Sequence, residues 1–267
     1  MTDFDDHERQ RWAGRASAYE RSFAPLCAHP AGPLLDAAGV AAGDRVLDIG
    51  TGTGTVAALA AARGGQVVAI DAAPSMVDAA RRRLPGVPVL RAALPELPFA
   101  AGRFDVAVAN FVLNHVGDPA AALAAARRVV RPGGRVAVTI WPTPAPRAQQ
   151  LWGEILDAAG ADRPPVPRLA AALDFPRTAA GLAGLLRDAG LTGVRCTEPA
   201  WTHRTDPEDW WSGPANGVAT PGLVLEHQPQ HRIAGIRAVF DRLTAPFRDS
   251  GGRLALPTSA LLAVGTV

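Results

Sequence analysis

Short apolar runs recur along the middle of the chain, each bounded by charge, glycine or proline. They are Arg45–Ile49, Gln66–Ile70 (closed by Asp71), Val87–Arg91, Phe104–Asn110 and, beyond a Pro132-Gly133-Gly134 turn, Arg135–Trp141. Runs of this length between turn residues predict buried strands. Ala-rich segments of helical spacing lie between them: Thr55–Arg63, Pro74–Leu84 and Asp118–Val130. Pro74 falls near a first turn, where proline is tolerated, and Asp118-Pro119 supplies an N-cap and a first helical position. Strand–helix alternation of this kind predicts a parallel sheet with helices on both faces.

After Trp141 the rhythm breaks. Residues 142–177 are proline-rich (Pro142, Pro144, Pro146, Pro164, Pro165, Pro167) around one helical segment, Gln149–Ala159. The alternation returns with a helix at Thr178–Ala189, closed by Gly190, and a strand at Thr192–Pro199. Residues 201–250 are again irregular, with helices expected. The apolar run Leu254–Val267 reads as one final strand. The expected organisation is an N-terminal helical lid over 1–40, a core over 41–141, a cap insertion over 142–177, core again over 178–200, a second cap insertion over 201–250 and a last core strand over 251–267.

The chain has 267 residues, 48% of them hydrophobic, which suits one large α/β domain with insertions. No apolar run approaches the ~18 residues of a membrane span. The start of the chain is charged, with no signal-peptide core, so a cytoplasmic protein is expected, without a membrane partner. Net charge is +2, and every basic residue is arginine. Arg81-Arg82-Arg83 and Arg127-Arg128 fall on predicted helix ends, where they complement the dipole. A nucleic-acid footprint would need a broader basic stripe. Cys27 and Cys196 stand far apart and read as reduced thiols. His227 and His231 have metal-ligand spacing, but Pro229 interrupts the helix that would align them, so no metal site is expected.

The sharpest motif is Val46-Leu47-Asp48-Ile49-Gly50-Thr51-Gly52-Thr53-Gly54, between a predicted strand and helix. Glycines there let the backbone turn tightly and let a ligand approach without a Cβ clash. In an open α/β sheet this is where a ligand lies. The spacing is Gly-x-Gly-x-Gly; the dinucleotide fingerprint wants its third small residue at Thr55. Asp48 would repel a pyrophosphate and attract a cationic group. The absence of lysine rules out a P-loop. Asp71, about twenty residues on, stands where an acid can hold two ribose hydroxyls. Met76 lies a turn beyond, either against an adenine face or in the core.

These residues, with VVAIDAAPSMV (67–77), LPF (97–99), FDVAVANFVLNHV (104–116) and RRVVRPGGRVAVTIW (127–141), resemble the core of the class I S-adenosylmethionine-dependent methyltransferases. The nearest pattern is that of the small-molecule enzymes of the ubiquinone/menaquinone-biosynthesis type. The resemblance implies a Rossmann-like, seven-stranded, mostly parallel sheet with a small helical cap. It implies S-adenosylmethionine as cofactor, with S-adenosylhomocysteine as product. Asp48, Gly50, Thr51, Gly52 and Gly54 would cradle the methionine end and ribose. Asp71 would bind the ribose hydroxyls, and Ala72 and Met76 would flank the adenine. Asn110 would contribute backbone contacts near the sulfonium, and Tyr19, within a segment resembling the family's closing N-terminus, would cover the carboxylate. The family often carries an acid shortly before its Leu-Pro-Phe. Here that place reads Ala93-Leu94, so adenine recognition rests on backbone groups.

Methyl transfer from a sulfonium needs alignment and desolvation more than an anionic stabiliser, and a hydroxyl acceptor adds the need for a base. His115 is the first candidate for that base, with His203 and His227 ranked below it. Trp141, Trp152, Trp201, Trp210, Trp211 and Phe175 surround the expected cap and can line an apolar acceptor pocket or pack as core. The run Asn110-Phe111-Val112-Leu113 departs from the Asn-Pro-Pro-Tyr-like motif of many nucleic-acid and protein N-methylating relatives. A small-molecule acceptor is therefore expected, a secondary metabolite or quinone-like compound, methylated on oxygen before carbon or nitrogen, by a monomer or homodimer. Two other readings stay open: a nicotinamide-dependent oxidoreductase, and a protein such as a cyclase that binds S-adenosylmethionine without transferring methyl.

Overall fold

Thr2 opens the first helix through a capping box, its hydroxyl accepting from the Asp5 N–H while the Asp5 carboxylate takes the Thr2 N–H. The computed structural model describes residues 2–267; Met1, at the head of the expected lid, lies outside the described residues. Four helices precede the first strand: α1 (Asp3–Trp12), α2 (Ala16–Arg21), α3 (Phe23–Ala28) and α4 (Ala31–Ala38). The alternating core follows as β1 (Arg45–Ile49), α5 (Thr55–Ala62), β2 (Gln66–Asp71), α6 (Pro74–Arg83), β3 (Val89–Arg91), β4 (Phe104–Asn110), α7 (Pro119–Val129) and β5 (Val130–Ile140). The Asp118 carboxylate caps α7 by accepting the Ala121 N–H at 2.8 Å.

Beyond β5 come α8 (Arg147–Ala158), α9 (Ala179–Asp188), β6 (Thr192–Thr197), β7 (Ala200–Thr205), α10 (Pro207–Ala215), α11 (Ala219–His227), α12 (Gln230–Thr244), β8 (Leu254–Ser259) and β9 (Leu261–Thr266). One seven-stranded sheet runs β3-β2-β1-β4-β5-β9-β6. β1 through β5 are parallel, and β9 is antiparallel to both its neighbours. The expected mostly parallel, Rossmann-like sheet is therefore present. Successive β4 residues feed opposite faces. Val106 and Val108 pack with Leu35 of α4, Ala57 of α5 and Val77 of α6. Ala107 and Ala109 pack with Leu123 of α7 and Leu182 of α9.

Two expected strands are corrected. The run Thr192–Pro199 ends at Thr197, and the chain re-forms a strand at Ala200 outside the large sheet. The run Leu254–Val267 is two strands separated at Ala260, not one core strand. β8 pairs with β7 in a separate two-stranded sheet, and β9 alone enters the large one. The physical reason lies in burial. β9 is buried on both faces, as an interior strand must be, while β8 alternates between buried and more open positions and carries Pro257, which belongs at an edge.

The two insertions pack together. Trp152 of α8, Trp210 and Trp211 of α10, Leu225 of α11, Phe240 of α12 and Leu256 of β8 share one apolar cluster, which also takes Leu26 and Cys27 of α3. Of the two alternatives for Phe175, core packing holds: it packs with Leu182 and Leu186 in the sheet's own core. No described helix is long and apolar enough to cross a membrane.

Candidate functional site

The strand order reverses between β1 and β4, and the glycine loop sits at that switch point, beyond the carboxyl end of β1. Gly50, Gly52 and Gly54 all adopt positive φ. A Cβ on Gly54 would fall 2.8 Å from Leu84, so this glycine serves the packing of α5 against α6. Gly52 differs: its nearest neighbour would be the Tyr19 ring at 3.5 Å, and it lines a cavity of about 660 Å³ beneath the cap.

Asp48 lies beneath the loop. One carboxylate oxygen accepts from the Thr51 hydroxyl at 2.6 Å and the Ala57 N–H at 3.0 Å, tying the loop to the first turn of α5. Its other oxygen is buried without a partner, and burial pushes the carboxyl up to about 7. Asp48, Thr51 and Gly54 are not among the cavity-lining residues; Thr51 faces a small adjoining recess instead. Asp71 ends β2 in the cavity wall, accepting from the Gly52 N–H at 2.8 Å and the Ala73 N–H at 2.9 Å, so a single carboxylate braces the loop from below. Burial raises its affinity for a proton, against those amide bonds.

The cavity brings together most of the other residues singled out in the sequence. Tyr19, Gly50, Ala72, Met76, Ala93, Leu94, Asn110 and His115 all line it. Met76 packs with Trp12 and Tyr19, so it belongs to a small core and to the cavity wall at once. Burial, followed by the neighbouring Cys27, Asp71 and Asp48, keeps the Tyr19 phenol protonated, and burial pushes the Cys27 thiol up to about 12. The Asn110 side chain is committed to structure: its amide donates to the Cys27 carbonyl at 2.9 Å and its oxygen accepts from the Thr139 hydroxyl at 2.6 Å. Phe111, next in line, holds φ +61°, a costly conformation for an aromatic residue. Its N–H donates to the Thr139 hydroxyl at 2.9 Å, and its ring stacks on Trp141 with centroids 3.9 Å apart.

His115 ends a single 3₁₀ turn after β4, with Nδ1 2.6 Å from a Glu8 carboxylate oxygen on α1. Glu8 is buried, and nothing in the local pattern of this polar helix marks it as special. The other histidines lie elsewhere. His203 is buried beside Trp210, outside the cavity lining, and burial pushes its imidazole down to about 4. His227 is exposed at the end of α11, and Pro229 separates it from α12 as the sequence implies. Of the tryptophans, Trp141, Trp152 and Trp210 line the cavity, whereas Trp201 stacks on His29 at 4.8 Å. The arginines at the cavity are all paired: Arg9 with Asp6, Arg11 with Glu8 at 3.0 Å and Arg163 with Asp157 at 2.7 Å.

Residues 47–138 match a family model described as a methyltransferase domain. A demethylmenaquinone methyltransferase from Beutenbergia cavernae is 42% identical over 110 residues, 41% of this chain and 46% of that protein. The chain spans about half the length of the curated relatives of this kind, up to 56% for one from Mycobacterium. Among solved structures, a possible histamine N-methyltransferase from Thermotoga maritima superposes with a TM-score of 0.55 at 18% identity, over 97% of this chain and 99% of that one. The Haemonchus contortus phosphoethanolamine N-methyltransferase 2, solved with phosphomonomethylethanolamine and S-adenosylhomocysteine, gives a TM-score of 0.59 at 15% identity, over 100% of this chain and 60% of that one. The chain thus shares the fold of solved S-adenosylmethionine-dependent methyltransferases, and its residues 47–138 match the methyltransferase-domain model and resemble the menaquinone-biosynthesis enzymes.

Proposed function

We propose that this chain transfers the methyl group of S-adenosylmethionine to a neutral small-molecule acceptor, on oxygen in preference to carbon or nitrogen. The observation that carries the reading is Gly52, whose missing side chain opens the loop onto the cavity while Asp71 stands beside it. The residues fit the cofactor. The Asp71 carboxylate would take a pair of ribose hydroxyls, Ala72 and Met76 would flank one face of the adenine, and the backbone at Ala93 and Leu94 would meet its edge; all five residues line the cavity. Gly50 and Gly52 would take the methionine end, under Tyr19. Asp48 and Thr51 would act from below, by holding the loop's shape. When bound, the cofactor supplies an electrophilic methyl group on a sulfonium.

The chain's own residues would align the acceptor and exclude water. Phe111, Trp141, Trp152 and Trp210 make an aromatic wall, and Leu156 and Val166 extend it. Arg9, Arg11 and Arg163 each already lie in an ion pair, which lowers the net positive charge offered to a phosphate or carboxylate on the acceptor. A quinone-like or other aromatic secondary metabolite fits that lining. Similarity to demethylmenaquinone methyltransferases supports the same class.

Thermal unfolding with added nucleotide tests the cofactor. At a hundredfold excess over Kd, S-adenosylmethionine is expected to add about 2.7 kcal/mol of stability, and NAD none. Calorimetry that detects no heat with S-adenosylmethionine or S-adenosylhomocysteine would overturn the reading. Binding without conversion to S-adenosylhomocysteine, across a panel of phenols and quinols, would favour a non-methylating protein.

A further inference from the structure

His115 faces the cavity on one side and α1 on the other. Its Nδ1 lies 2.6 Å from Glu8, whose second oxygen accepts from Arg11 at 3.0 Å. An ionised carboxylate only accepts, so the ring must donate from Nδ1. In the neutral ring, that fixes the tautomer and leaves the Nε2 lone pair free. Nε2 makes no hydrogen bond to the described residues. Trp12 stands edge-on to the ring at 5.3 Å and limits its rotation. The charged and titratable groups around the pair are Glu8, His7 and Arg11 on α1 and Asp71 at the end of β2. Asp5 anchors the same helix by accepting the Gly117 N–H at 2.6 Å. Burial pushes the Glu8 carboxyl up, but the hydrogen bond and charge of His115, then Arg11 and His7, outweigh it and hold the group below its ordinary range.

We infer that Glu8 and His115 form a proton-accepting pair that is completed only when α1 is docked, and that it serves an acceptor bearing an acidic hydroxyl. The inference rests on the methyl-transfer reading above. In the step, the acceptor O–H bond breaks and an N–H bond forms at Nε2. The oxygen keeps the electron pair and becomes the nucleophile. The ring becomes imidazolium, and the Glu8 carboxylate, still hydrogen-bonded at Nδ1, offsets its charge. His115 is the group that would touch the acceptor; Glu8 is a positioning residue. A single helix then both covers the cavity and switches on its base, which keeps the base weak while the cavity is open to water.

The test combines imidazole ¹⁵N NMR with a reporter phenol. In the full chain saturated with S-adenosylhomocysteine, the Nδ1–H tautomer of His115 is expected. Glu8→Gln should shift its protonation to lower pH and allow the other tautomer, and Glu8→Asp should restore part of both effects. Asp5→Asn weakens the anchoring of α1 without removing the carboxylate at the ring. It should increase proteolysis within α1 while leaving the tautomer of the docked form unchanged. The reporter is 4-nitrophenol, whose anion absorbs visible light. Bound to the wild type it should ionise at lower pH than when free, and Glu8→Gln should abolish most of that difference. An Nε2–H tautomer in the wild type, a titration indifferent to Glu8→Gln, a phenol bound in its protonated form, or no phenol complex would each overturn the inference. Absence of heat with S-adenosylhomocysteine would instead sink the methyl-transfer reading, and calorimetry reports that separately.

Discussion

At the residue scale, the glycines and acids of the loop divide their work more sharply than their motif implies. Gly54 is required by Leu84, whereas Gly52 is open to the cavity. Gly52→Asp should therefore abolish S-adenosylmethionine binding by calorimetry while costing only about 1–2 kcal/mol of stability, since its backbone is left-handed. Asp48 makes a second prediction through its pH dependence. Its carboxyl is raised by burial from 3.8 to about 7. Between those values the folded state binds more protons than the unfolded one, so this group makes stability fall as pH rises across that window. One proton limits the slope to roughly 1.4 kcal/mol per pH unit. Asp48→Asn should flatten the decline measured by denaturant unfolding at pH 4, 5.5 and 7. An unchanged slope would show that the carboxylate is ionised throughout.

At the scale of elements, the end of β4 depends on its neighbour. The Thr139 hydroxyl on β5 accepts the Phe111 N–H and donates to Asn110, and Thr139 is fully buried. Those bonds hold Phe111 in its positive-φ turn, with its ring on Trp141. Thr139→Val keeps the shape but leaves the Asn110 oxygen without its donor. It should cost about 1–3 kcal/mol in chemical denaturation and loosen the Phe111–Trp141 stack, visible as a change in tryptophan fluorescence. Sequence reading located β4 and the position of Asn110 within it. The family resemblance implied backbone contacts for Asn110; the partners of its side chain on α3 and β5 are not visible in a local pattern. The split at Ala260 was hidden for a related reason. β8 and β9 are separated only by Ala260; Pro257 marks β8 as an edge, but only pairing with β7 or with β5 shows that the run divides between two sheets.

At the scale of the whole molecule, the N-terminal helices and the second insertion close over the cavity as one layer. Phe23 of α3 packs on Trp210 of α10 with centroids 5.0 Å apart, and Arg15 and Arg21 pair with Glu226 and Asp209. Trp210 is fully buried at the centre of this layer. Trp210→Ala should cost about 3–5 kcal/mol, read as a lower denaturant midpoint, because the surrounding aromatic rings cannot collapse into the space. If the layer covers the site, the same variant should also weaken S-adenosylhomocysteine binding while the sheet remains folded at low temperature.

The sequence alone determined the alternating core, the place of the glycine loop at the end of β1 and the acid that closes β2. Each depends on backbone geometry and burial within a few consecutive residues, so the information is local and survives in the linear order. Folding decided which loop residues face the cavity, which strand the last apolar run contributes, and that Glu8 meets His115 across 107 positions. Such meetings are set by the return path of the chain and by shared burial among distant elements, and neither is written in the spacing of neighbouring side chains.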